Sequence, residues 1–346
     1  MKIFYTIILL PVLIFASNID PLYDFDYARI GVKGFYITGG AEVNLDNAMY
    51  DKDGKKVETI VDATGQTVDY AYKSMDIWVP IRIGYCFSEV FCAGVIAPLA
   101  SLSHTATIAG VDYTEANTAP SNPWVWVKGT FIFQNDLVLS PRIGLKAPLL
   151  AYTMEDQASD RFNDPTADVK AVTGDKNLAF DLGIVLSARP DANAFRLDGQ
   201  LALRYSMQGT YSYQAMDAST GNAVDVETTA TPGAWLNLRA MPGMAFGDYK
   251  NIEAYLWLEY AMKLTEDTAT SKVNGTTGAE TKIKGGSLFT AGIRGVYAVD
   301  PDNSVELKFL YDVMAAGGEY NDSAGSIYPT PAGMSVGIGY YGYIPM

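Results

Sequence analysis

"DIWVPIRIGYCF" (residues 76–87) alternates strictly: Ile77, Val79, Ile81, Ile83, Tyr85 and Phe87 form one column, and Asp76, Trp78, Arg82, Gly84 and Cys86 make up most of the other. A period of two over twelve residues is a β-strand that shows opposite characters on its two faces. The texture continues along the chain. About twelve such stretches follow one another, at roughly 27–44, 71–87, 91–104, 123–133, 137–152, 177–189, 195–213, 232–246, 251–264, 285–299, 304–315 and 331–344. "FSEV", "QND", "RPDANA", "GDYKN" and "DPDN" read as tight turns. Long connections rich in Asp, Thr, Gly, Ser and Ala fall near 45–70, 105–122, 153–176, 214–231, 265–284 and 316–330, so short and long links alternate. No helical period or domain linker stands out, and one domain is the simplest count.

Charge tests the register. Arg196, Asp198 and Arg204 share one parity, as do Glu253, Glu259 and Lys263, and Glu306, Lys308 and Asp312. The opposite column of the same strand, Phe195, Leu197, Leu201, Leu203, Tyr205 and Met207, carries no charge. Alternation alone fits a soluble sandwich with an apolar core as well as a barrel with its apolar face in lipid. Three arguments favour lipid. The strands are about twice the usual soluble length and match the 9–11 residues that cross a bilayer at a tilt. A closed barrel of about eight strands already fills its interior with side chains, so twelve strands lined by apolar groups would enclose a void, whereas a charged lining holds water. The alternation of short turns and long loops is the asymmetry of barrels in an outer membrane.

The expected fold is therefore all-β: a single transmembrane antiparallel up-and-down β-barrel of about 12 strands, with 10–14 allowed, short periplasmic turns and long extracellular loops. Residues 27–344 resemble, by architecture and without a specific family motif, the outer-membrane β-barrel proteins of diderm bacteria, the porin-like class in the broad sense. The last strand, "MSVGIGYYGYI" (334–344), resembles the aromatic-rich terminal strand read by the barrel-assembly machinery, although the chain ends Ile344-Pro345-Met346 and not in Phe. The resemblance implies contact with outer-membrane lipid and lipopolysaccharide, and leaves a homo-oligomer open.

"MKIFYTIILLPVLIFASNID" (1–20) has one Lys, an apolar run, then Ala16 and Ser17, which reads as a secretory signal peptide over residues 1–17. An uncleaved anchor is the other reading. Residues 18–26 follow as a short periplasmic segment, and 27–346 as the barrel in the outer membrane.

The chain of 346 residues is acidic, with 39 Asp+Glu against 25 Lys+Arg, and no basic run suggests a nucleic-acid footprint. The two cysteines, Cys86 and Cys92, flank Ser88-Glu89-Val90. If those residues form a turn, the cysteines oppose each other on neighbouring strands with the inward parity, close enough for a disulfide in an oxidising compartment. Two free thiols facing each other is the alternative.

His104 is the lone histidine. Ser101 and Ser103 are nearby, but no nucleophile motif surrounds them, so a rim histidine without a catalytic partner is expected and the chain does not read as an enzyme. "DKDGKKVE" (51–58) lacks the third acidic ligand and the terminal Glu of a calcium loop, and reads as a hairpin tip. No metal or cofactor is expected.

What remains is the lumen. Its expected lining includes Arg82, Lys128, Arg142, Lys146, Arg196, Arg204, Arg239, Glu259, Arg294 and Lys308, with Arg29, Lys33, Arg189 and Lys263 completing the cations. The acids are Asp76, Asp181, Asp198, Glu253, Glu259, Glu306 and Asp312. That column is net basic, which points to a passive channel for small hydrophilic solutes favouring anions. The alternative is a non-conducting surface barrel, whose acidic loops mediate adhesion, structural contacts or ligand binding.

Overall fold

A computed structural model describes residues 33–61, 66–88, 90–133, 137–164, 168–188, 194–216, 222–247, 251–278, 280–300, 302–320, 327–328 and 330–346. The expected signal peptide, the 18–26 segment, Arg29 and Arg189 lie outside these residues.

Twelve strands form the barrel: β1 (Gly34–Tyr50), β2 (Thr67–Cys86), β3 (Phe91–Ile108), β4 (Trp124–Gly129, continued by Phe131–Phe133), β5 (Leu137–Lys146), β6 (Ala179–Ala188), β7 (Phe195–Ser206), β8 (Trp235–Phe246), β9 (Ile252–Lys263), β10 (Ser287–Ala298), β11 (Asn303–Ala316) and β12 (Thr330–Pro345). Each pairs antiparallel with its neighbours in sequence, and β12 returns to pair with β1, for example Phe35↔Ile344 and Val43↔Val336. The sheet is closed, so no edge is left for hydrocarbon to face. Among the described residues no helix is long and apolar enough to cross a membrane.

The parity seen in the sequence is the parity of the wall. Leu201, Leu256 and Phe309 are 45%, 48% and 47% exposed on the outer surface, while Arg82 and Lys308 are each 3% exposed and Asp181 is fully buried inside. An apolar exterior around a charged interior is the reverse of a soluble core.

The long connections hold more structure than the sequence suggested. An Ala109-Gly110 turn with positive φ at both residues sends Val111–Pro120 back along β3, the geometry of a tight hairpin. Gly209–Met216, Ala223–Thr231, Asp267–Val273, Thr281–Lys284 and Gly318–Tyr320 pair into a second sheet that raises the wall above β7 to β11 as a collar. The connection from β5 to β6 contains a helix, α1 (Met154–Asn163). The sequence reading had no helix there. Its signal was a capping box: the Thr153 side chain meets the Asp156 backbone N–H, and the Asp156 carboxylate accepts from the Thr153 N–H.

Several strand limits also differ: β1 runs on to Tyr50, past the expected 44, and β3 to Ile108, past 104. The strand expected over 195–213 breaks after Ser206, its remainder joining the collar, and the one expected over 137–152 ends at Lys146. "DKDG" is a hairpin tip as expected: Asp51 Oδ1 accepts from the N–H groups of Asp53 and Lys55 at 2.9 and 2.8 Å, and Gly54 has φ +73°.

Candidate functional site: the charged interior

Of the described residues expected to line the lumen, all but Lys33 are at least half-buried. Arg82, Lys128, Arg142, Lys146, Arg196, Arg239, Arg294 and Lys308 fall in the buried class, with Arg204 and Glu259 half-buried. A buried charge must be paired or hydrogen-bonded, and the wall supplies partners across strands.

Glu259 is the hub on one side. It accepts from Arg239 Nε at 2.9 Å, from the Trp257 indole at 2.9 Å and from Asn237 at 2.5 Å. The Arg239 guanidinium lies 4.0 Å from the centre of the Trp257 ring, and the Lys308 ammonium 5.5 Å from it, both in the range of cation–π attraction. Lys308 in turn reaches Glu42 at 2.5 Å. Arg294 holds Glu306 through Nε and Nη2 at 2.9 and 2.6 Å, with Asp198 at 3.6 Å, and Arg196 bonds Glu253 at 2.8 Å. Charge-assisted bonds of this kind are the stronger class.

The opposite arc is more basic. Arg82, Lys128 and Arg142 face inward there, and Asp181 lies 3.9 Å from Arg142 and 3.7 Å from Arg204. Tyr36, Ile96, Trp124 and Trp126 form one apolar cluster with the Cys86–Cys92 bond. Arg204 lies over Trp124 at 4.8 Å.

Two expectations about charge change. Lys33 precedes β1 and is exposed, and the inward parity of β1 is the even one, carrying Glu42 and Asp46. The reading of β1 from Arg29 and Lys33 had followed the wrong column. With Glu42 and Asp46 added, the cationic excess of the interior shrinks and becomes local to the arc around Asp181.

His104 is not without a partner. Its Nε2 lies 2.9 Å from Asp76 Oδ1, and Ser74, opposite it on β2, bonds Asp46 at 2.8 Å. Ser101 faces outward as expected and pairs with Thr118 at 2.7 Å.

The connection from β5 to β6 runs inside the rim as a strap. Ala171 packs on Trp78, Ala100 and Leu102, inward residues of β2 and β3. Asn117 Nδ2 donates to Ala171 O at 2.9 Å, Thr173 Oγ1 to Pro120 O at 2.9 Å and Asn122 Nδ2 to Asp175 O at 2.7 Å. Lys146, at the top of β5, binds both oxygens of Asp175 at 2.7 Å. Further along, Asn177 Nδ2 donates to Met207 O at 2.6 Å and Ala230 O at 2.9 Å.

Helix α1 is tied to the Val111–Pro120 strand through Arg161 and Glu115, 3.4 Å apart. Burial raises the Glu115 carboxyl, and Arg161 and His104 pull it back down. The sequence named none of these strap contacts, because they depend on which wall residues the connection meets.

The cysteines form a disulfide. Cys86 and Cys92 are directly paired, and Phe87 and Phe91 meet outside the same turn with ring centres 5.7 Å apart. The bond closes so short a loop that its removal should cost about 2 kcal/mol or less. A Cys86→Ser/Cys92→Ser barrel is expected to fold and keep its heat-modifiable mobility, with only a small loss in denaturation midpoint. Mass mapping without reductant should show the wild-type peptides linked.

No protein-family profile matches the chain, and no curated protein matches it. Solved structures do. An outer membrane channel from Pseudomonas putida F1 superposes with a TM-score of 0.55 at 10% identity, covering 94% of this chain and 100% of that one. The transport unit of the autotransporter AIDA-I from Escherichia coli gives a TM-score of 0.50 at 10% identity, covering 98% and 97%. The fold is that of the outer-membrane β-barrels. At these identities the likeness concerns backbone architecture, and the interior described above is this chain's own.

Proposed function

We propose that this chain is an outer-membrane barrel passing small hydrophilic solutes, anions ahead of cations, through an interior narrowed by its charged network and its strap. The observation that carries the reading is the inward column of charge. An interior built only to be filled is as stable or more so with apolar side chains, since buried ion pairs seldom repay their desolvation. A lining of Arg, Lys, Asp and Glu suits one that is wetted in use, where rings of charge set selectivity. The basic arc of Arg82, Lys128, Arg142 and Arg204, the last two beside Asp181, supplies the preference for anions. Surrounding lipid and lipopolysaccharide, and insertion by the barrel-assembly machinery, belong to the same proposal. His104 is read as structural, holding Asp76 beneath the rim.

Planar-bilayer recording of the purified barrel tests this. Small, discrete conductance steps are expected, with chloride permeating ahead of potassium. A strong preference for potassium would refute the selectivity, and silence at every voltage would refute passage. The near-complete burial of Arg82, Arg142 and Lys308 favours a second reading for a silent barrel, that of a closed wall presenting its collar at the cell surface.

A further inference from the structure

At the rim, between α1 and the collar, lies a cavity of about 800 Å³ outside the charged interior. Helix α1 contributes Ser159, Phe162 and Asn163 to its wall, and the Gly209–Met216 strand, an edge of the second sheet, contributes Ser212, Tyr213 and Gln214. Asp225, Val226, Glu227 and Lys272 complete the far side.

The wall is rigid where it matters. Asn274 Oδ1 accepts from the Asp225 N–H at 3.1 Å and its own N–H donates to Asp225 O at 2.9 Å, tying two hairpins together. Its Asn274-Gly275 turn has both residues at positive φ, the tight form that fixes a hairpin. On the other side α1 is held by its capping box, by Arg161 on Glu115 and by Gln157 on the Lys170 carbonyl.

The charges in the wall largely answer one another. Lys272 bonds Glu227 at 2.7 Å, and Gln214 donates to Asp225 at 3.2 Å. What faces the space is therefore a set of hydroxyls, amides and satisfied carboxylates, beside the apolar faces of Phe162, Tyr213 and Val226. An anion would meet two carboxylates and one ammonium. A purely apolar ligand would strip water from polar groups without replacing their bonds. A neutral molecule with many hydroxyls and an apolar ring face satisfies both kinds of surface, and the volume lies in the range of small-molecule sites.

We infer that this cavity binds a neutral saccharide, packed on Phe162 and Tyr213 and hydrogen-bonded by Asn163, Gln214 and Asp225. The site stands apart from passage through the lumen, and its occupancy does not require the barrel to conduct.

Two sources offer that chemistry: a free sugar, or the sugar portion of a surface glycolipid. Isothermal titration of the full-length barrel in detergent would use maltotriose, triacetylchitotriose and the core oligosaccharide of lipopolysaccharide trimmed to its uncharged hexoses. Saturable binding of at least one is expected. It should weaken about tenfold, the equivalent of 1.4 kcal/mol, in both Phe162→Ala and Asp225→Ala, and remain unchanged in Lys52→Ala, whose exposed side chain pairs with Glu319.

Heat-modifiable mobility certifies that each variant is folded, and Asp225→Asn repeats the test with the shape kept. Binding of a free trisaccharide marks a solute site, and binding of the core alone marks a glycolipid site. Either supports the inference. Failure of all three probes to saturate, or undiminished binding in both folded variants, overturns it.

Discussion

Leu256→Arg will leave most of the protein unfolded or uninserted, while Leu264→Arg, eight residues further along the same chain, will be tolerated. Both leucines are on the outer column and about equally exposed, 48% and 47%. They differ in depth. Leu256 sits in the middle of β9, directly opposite Ile293 on the next strand. Leu264 follows the last residue of β9, at the level where the collar begins. An arginine facing lipid near the midplane costs about 2–4 kcal/mol, falling to about 0–1 near the interface. In a fold of ordinary marginal stability the larger figure is a serious loss. The fraction migrating as the compact, unheated species on a gel after refolding into lipid measures it. Equal tolerance of both substitutions would mean that this surface does not face hydrocarbon.

The second large effect concerns the strap. Asp175→Ala removes the carboxylate that binds Lys146 through both oxygens and takes away the acceptor of the Asn177 N–H at 2.9 Å. Leaving one partner of a buried pair uncompensated costs about 3–5 kcal/mol. That strain can be relieved if the strap leaves the wall and admits water to Lys146. The expected result is a barrel that still folds, since no wall hydrogen bond is lost, but whose conductance steps are several-fold larger than wild type. The companion Asp175→Asn keeps the size and one acceptor oxygen and should lie between the two. Unchanged steps in Asp175→Ala would show that the strap does not limit passage.

The strands were legible because each of them faces two solvents at once. In β7 the column of Leu197, Leu201 and Leu203 must suit lipid while Arg196, Asp198 and Arg204 suit a polar interior, and that double demand writes the register into the sequence. The alternation of turn and loop lengths likewise follows from a chain that reverses at two unlike surfaces. β1 was misread because its start was judged from Arg29 and Lys33, whereas the strand described begins at Gly34 and places Glu42 and Asp46 inside.

The candidate site was legible as a set of residues and not as an arrangement. Parity told that Arg239, Glu259 and Lys308 share a face. It could not tell that Trp257 would lie beneath Arg239 or that Glu42 would reach Lys308, because those contacts depend on distances around a closed ring. The strap was invisible for a related reason: Asp175 and Asn177 gain their meaning only from carbonyls and amines on β5, β7 and the collar. The Thr153–Asp156 capping pair was the one local signal there, and it went unread.

The seam between β1 and β12 has a consequence for the order of events in the cell. Phe35 must wait for Ile344, so the twelfth strand has to arrive before the first can find its second neighbour. Until then the nascent polypeptide owns two raw borders that no bilayer tolerates. Closure is thus a single late act, and both borders need cover until it is done.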